Sequence, residues 1–99
     1  MSKPYYTEYV RHCLRFYARN PVVARFNSLV DKANWYACHR AIEHYSDRDK
    51  DILIRVYRGY DTTADNVYEV AKFYNIDQNI IWDLIKEFEH KVAKKRELI

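Results

Sequence analysis

An all-α fold, a compact bundle of about five helices, is what this sequence predicts, and three observations carry the prediction. One glycine and two prolines among 99 residues leave little chain for turns or sheets, which favours helices joined by short loops. Apolar residues recur at three- and four-residue spacing in five successive stretches, the period of one helix face. Residues that accept from free helical N–H groups stand ahead of several of those stretches, among them Ser28, Ser46 and Asp77. A chain of this length makes a single helical domain, 1–99, with one modest core. Ten Tyr and four Phe supply volume that aliphatic side chains would otherwise supply, with hydroxyls able to reach the surface.

The first helix starts near Pro4, whose missing N–H is not needed in a first turn, and runs to about Arg19, where Asn20-Pro21 ends it. Tyr6, Val10, Cys13, Leu14 and Tyr17 form its buried stripe, flanked by Tyr9 and Phe16. Arg11, Arg15 and Arg19 make a row at i, i+4 and i+8 on another face, suited to phosphates or to an acidic partner surface. The same row also reads as a solvated face whose arginines pair with acids of the domain itself. Residues 21–27 connect, with Val22, Val23 and Phe26 folding back over the core. The second helix begins at Ser28 or Asp31 and runs to Tyr45 with Leu29, Trp35, Cys38, Ile42 and Tyr45 inward, Trp35 as a core anchor. Residues 1–45 thus form an N-terminal helical pair.

Ser46 opens the third helix with Asp49 three residues on, a pattern like a capping box. Ile52, Leu53, Val56 and Tyr57 give its core face, and Arg48, Lys50, Arg55 and Arg58 its outer face. Gly59 stands where a helix end favours a left-handed residue. The loop of residues 60–65 leads to a fourth helix capped by Thr63 or Asp65. Asp47, Asp49 and Asp51 lack the glycine turn and distal bidentate acid of a calcium loop, so capping and dipole compensation explain them.

Residues 66–96 organise the rest. Val67, Val70, Ala71 and Tyr74 line one face of a short helix. Asn75 then tolerates the left-handed conformation a tight turn requires, and Asp77 caps a longer helix. In that last helix Ile80, Ile81, Leu84, Ile85, Phe88 and Val92 form the apolar stripe. Two helices joined this closely make a helix-turn-helix, so the bundle is expected to end in one. Residues 70–77, with Ile81 and Leu84 after them, resemble the DNA-binding helix-turn-helix core. It wants a small residue in its first helix (Ala71) and apolar residues after the turn and in the second helix (Ile76, Ile81, Leu84). That core usually has Gly at the turn; Asn75 is a departure. With the upstream run Ser46-Asp47-Arg48-Asp49-Lys50-Asp51-Ile52-Leu53, the C-terminal half (46–99) is similar to region four of bacterial sigma factors and to small phage late-gene activators. The resemblance implies a phage- or mobile-element-encoded, sequence-specific DNA-binding transcriptional regulator.

On that reading Gln78, Asn79, Trp82, Asp83 and Lys86 face outward. Gln78 and Asn79 are suited to bidentate pairing with adenine, and Asp83 to accepting from cytosine. Trp82 is suited to a thymine methyl or a protein neighbour, or else to packing on the first helix of the pair. Lys86 and His90 are suited to phosphate, and the basic tail Lys91, Lys94, Lys95 and Arg96 to backbone contacts or to a solubilising end only. Double-stranded DNA is the expected partner. One such module binds weakly alone, so a homodimer or a partner such as RNA polymerase is expected as well.

Charge favours a second reading. Net charge is +3, with residues 1–45 at +4 and residues 46–85 at −3. DNA-binding surfaces usually concentrate positive charge, and this helix pair does not. The alternative is a non-catalytic protein-interaction module of the same fold that binds RNA polymerase or another protein without reading DNA. No Gly-rich phosphate loop or nucleophile motif is present, so no enzyme and no cofactor are expected. Cys13 and Cys38 read as free buried thiols. His12-Cys13 and Cys38-His39 are adjacent pairs whose side chains diverge by about 100° on a helix, so no metal site is expected. No apolar run approaches the roughly 20 residues of a membrane span, and no apolar leader opens the chain. No membrane partner and a cytoplasmic location follow as expectations.

Overall fold

Each periodic stretch becomes a helix in the computed structural model, which describes residues 4–22 and 25–99. In order they are α1 (Thr7–Arg19), α2 (Leu29–Ile42), α3 (Asp47–Arg58), α4 (Thr63–Tyr74) and α5 (Gln78–Lys95). The described residues form an all-α globule, with no strand, of 38 × 31 × 25 Å. α1 packs on α2, α3 and α5; α3 and α5 also pack on α4, and α5 on α2 and α3. One cluster of buried side chains takes residues from all five helices, centred on Leu14, Ile52, Leu53, Ile81, Ile85 and Phe88.

Local chemistry sets the helix starts. Ser28, Ser46 and Thr62 hydroxyl oxygens accept from the N–H three residues on, each at 3.1 Å, and the Asp77 carboxylate accepts from Asn79 N–H at 2.7 Å. The cap of α4 is therefore Thr62, one residue before the expected Thr63. α1 begins three residues after Pro4, which instead accepts from Thr7 N–H in a preceding turn. α2 stops at Ile42 rather than Tyr45, although Tyr45 still packs edge-on against Phe88.

Three inward assignments and one outward assignment are corrected. Leu29, at the first position of α2, is 83% exposed. Ile80 is 48% exposed whereas Ile81 is fully buried. The core is narrower than the apolar arc of α5, so the residue at its margin is left at the surface. Val22 is 91% exposed and covers nothing. Phe26 does fold back, with its ring against Trp35 at 5.9 Å; Val23 lies outside the described residues. Trp82, expected to face outward, is half-buried against the core.

Gly59 is the fifth correction. Its φ of −61° and ψ of 150° are extended, not left-handed. What requires glycine there is a close approach. The buried Asn66 amide lies against it and donates to the carbonyls of Val56 (3.0 Å) and Asp61 (3.3 Å), one near the end of α3 and one in the following loop.

Candidate nucleic-acid interface

Three residues join α4 to α5. Asn75 adopts φ 55° and ψ 50°, the left-handed conformation expected of it. Its N–H donates to Lys72 O at 3.3 Å and Ile76 N–H donates to Ala71 O at 3.0 Å. These are the paired bonds that end a helix tightly, and Ile76 packs on the core as the apolar partner of such an end. Asp77 then caps α5. Ile81, Ile85, Phe88, Val92 and Ala93 bury one face of α5, so its opposite face is fixed toward solvent.

That face carries a row. Asn79, Asp83, Lys86, His90 and Lys94 recur every three or four residues and all are exposed, over about 22 Å of helix. Gln78 lies to one side, exposed, in a hollow with Tyr68, Lys72 and Asn75. Tyr68 and Lys72 are site neighbours that sequence reasoning missed; their four-residue spacing, with the ammonium 5.7 Å from the ring centroid, was the available signal.

On the other flank of α5 runs a groove of about 910 Å³ between α1, α5 and the start of α4. Arg11, Arg15, Trp82, Lys86 and His90 all line it. Two sets of candidates separated by more than sixty residues therefore meet on one surface. Arg11 is already engaged. Its Nε donates to Glu89 Oε2 at 2.9 Å, and the buried Tyr57 hydroxyl donates to the same oxygen at 2.7 Å. With side chains 13% and 7% exposed, this is a buried ion pair rather than a free cation. Burial first and the Glu89 charge second push the Tyr57 hydroxyl well above its ordinary range, with Arg11 acting the other way. Arg15 is half-buried in the groove with no ion pair or hydrogen bond among the described residues. His90 Nδ1 stands 3.4 Å from the Tyr6 hydroxyl.

Arg19 belongs elsewhere. Its guanidinium lies over the Tyr60 ring at 4.1 Å, and Nη2 donates to Gly59 O at 3.0 Å, beyond the end of α3. Lys94 continues the α5 row beyond the groove.

Cys13 and Cys38 are free and buried. Burial pushes the Cys13 thiol up to about 11 and the Cys38 thiol higher still, so both stay protonated at neutral pH. Among the described residues no three His, Cys, Asp or Glu side chains are grouped to hold a metal ion. Nor is any helix there long and apolar enough to cross a membrane. Comparison of the chain with protein-family models, curated proteins and solved structures gives no match in any of the three.

Proposed function

We propose that this protein is a sequence-specific DNA-binding transcriptional regulator in which α4 and α5 act as a sigma-region-four-like helix-turn-helix. The observation that carries the reading is the α4–α5 join. A three-residue turn built on left-handed Asn75 leads into a capped helix whose first turn leaves Gln78 and Asn79 exposed, while Ile81 and Ile85 hold it to the core. In a helix-turn-helix that first turn enters the major groove, and Gln and Asn are the side chains that pair with adenine there. Lys86, with Arg15 across the groove, supplies cations beside it for the phosphate backbone. The origin in a phage or mobile element follows from the resemblance alone. RNA polymerase or a second copy is the partner that raises affinity beyond that of one module.

A second reading has its own observation. Tyr68, Phe73 and Ile80 are large apolar residues left exposed on α4 and the first turn of α5, in the segment whose net charge is −3. Exposed apolar side chains beside a deficit of cations suit a protein partner better than DNA.

Selection from a random duplex pool at two salt concentrations separates the two. The expected result is an enriched motif whose binding weakens steeply with salt and is lost on Gln78→Ala or Asn79→Ala. Absence of enrichment, with loss of RNA polymerase binding on Ile80→Ser or Phe73→Ser, establishes the second reading instead.

A further inference from the structure

The far end of α5 forms, with α2, a second surface away from the first turn of α5. Lys32, Tyr36 and Arg40 recur at i, i+4 and i+8 along α2 and face Lys95 and Arg96 at the close of α5. Between them lies an open cleft of about 850 Å³ with no carboxylate in its lining. Among the described residues, Lys32, Arg40 and Lys95 make no ion pair and no side-chain hydrogen bond. Arg96 donates only to the neutral Asn34 amide oxygen, at 2.6 Å. Four cations elsewhere are paired, Arg11 with Glu89, Arg48 with Asp49, Arg55 with Asp51 and Lys91 with Glu87, whereas Arg15, Lys86 and Lys94 have no acid partner among the described residues. What distinguishes the cleft is that four cations share it. The nearest acids in sequence, Asp31 and Glu97, do not line the cleft.

Helix dipoles account for part of this set only. Lys95 and Arg96 sit at the negative end of α5 and Arg40 in the last turn of α2, where cations are favoured. Lys32 lies in the first turn of α2, the positive end, where its charge is unfavourable. Four like charges gathered without counter-charge repel one another until an anion is supplied. Lys32 and Arg40 are separated by about 12 Å along α2, a length over which each strand of B-DNA presents about three or four phosphates. Tyr36 stands between them, its ring set edge-on against Trp35 at 5.1 Å, so its position is fixed by packing. Lys, Arg and Tyr side chains are among the usual donors to backbone phosphate.

We propose that the α2–α5 cleft binds the phosphate backbone of duplex DNA without regard to base sequence, through Lys32, Arg40, Lys95 and Arg96. The site stands apart from the first turn of α5, about 25 Å away along that helix, and does not depend on base reading there.

The test is fluorescence anisotropy with a labelled 24-bp duplex of arbitrary sequence, from 50 to 200 mM salt. Wild type is compared with Lys32→Glu/Arg40→Glu and with Arg48→Glu/Arg58→Glu, a matched charge reversal on α3. Each neutralised phosphate contributes about 0.9 to the slope of log affinity against log salt, so reversing two cations is expected to flatten the slope by about two and weaken binding at least about 10-fold. The α3 variant, which reverses the same number of charges away from the cleft and from the first turn of α5, is expected to keep both values. An unchanged affinity and slope in Lys32→Glu/Arg40→Glu overturns the proposal, as does absence of duplex binding by wild type. Better competition by an unlabelled single strand or a polyglutamate peptide than by unlabelled duplex overturns it too. Should the charge-reversed protein lose its thermal transition, Lys32→Ala/Arg40→Ala is read against the same criteria. A random duplex bound through the cleft, with no motif enriched by selection, separates this site from the reading proposed for α5.

Discussion

A β-carbon on Gly59 would stand 2.5 Å from the Asn66 side chain, closer than any real contact. The Asn66 amide has little freedom to move, because it is buried and donates to two backbone carbonyls. Gly59→Ala is therefore expected to destabilise the protein by about 1–3 kcal/mol, the cost of breaking buried hydrogen bonds. Chemical denaturation of Gly59→Ala, Asn66→Ala and the double variant checks the cause. The alanine at 59 is expected to cost less when Asn66 is already alanine, with a coupling of at least about 0.5 kcal/mol. Additive costs would show that the glycine serves some other purpose. The usual reason for a glycine at a helix end, a left-handed backbone, does not apply here, since φ is −61°.

At the scale of elements, α5 decides stability and, on the function proposed for it, recognition. Its buried stripe of Ile81, Ile85, Phe88 and Val92 anchors the helix, while Ile80 lies at the edge of the stripe. Neighbouring isoleucines should then respond very differently. Ile81→Ala is expected to cost about 2–5 kcal/mol, the range for a buried large-to-small change, and Ile80→Ala under about 1 kcal/mol. Equilibrium urea unfolding measures both, and equal costs would mean that α5 is rotated from the orientation described. That rotation also sets which side chains meet a partner. The row Asn79, Asp83, Lys86, His90 and Lys94 points outward because Ile81 and Ile85 point in.

The whole molecule titrates asymmetrically. Hydrogen bonds from Tyr74 and then Arg55 hold the Asp51 carboxyl below its ordinary range; Lys91 and then Tyr45 do the same for Glu87. A depressed carboxyl contributes stability that is present at neutral pH and lost as pH falls through its folded pKa. Both carboxylates are well exposed, 43% and 59%, so solvent screens them and the acid loss is shallow. At the alkaline end the sign reverses. The Cys13 thiol rises from an ordinary 9.0 to about 11 through burial, and Cys38 and Tyr57 rise with it. The folded state keeps these protons while the unfolded chain releases them, so stability is full below about pH 9 and falls through about pH 11. Thermal midpoints followed by circular dichroism from pH 3 to 11 are expected to show a shallow acid limb and a steep alkaline one. A midpoint at pH 10.5 equal to that at pH 8 would contradict the buried thiols.

The sequence by itself determined the five helices, three of the four side-chain caps, the left-handed turn at Asn75 and most of the core. These depend on groups a few residues apart. Spacing of three and four defines a helix face, and a Ser or Asp ahead of it accepts from free N–H groups within the same turn. The tertiary structure alone decided the rest. Whether Ile80 or Ile81 is buried depends on how wide a strip of α5 its neighbours cover, which no local spacing encodes. The role of Gly59 depends on Asn66, which reaches it across the α3–α4 loop. Arg11 meets Glu89, and Arg15 and Lys86 line one groove, because α1 lies beside α5, a contact between opposite ends of the chain. Likewise Lys32 and Arg40 become part of a four-cation cleft only because α2 closes against the last turn of α5. Local chemistry places charges on helices; packing decides which of those charges share a surface.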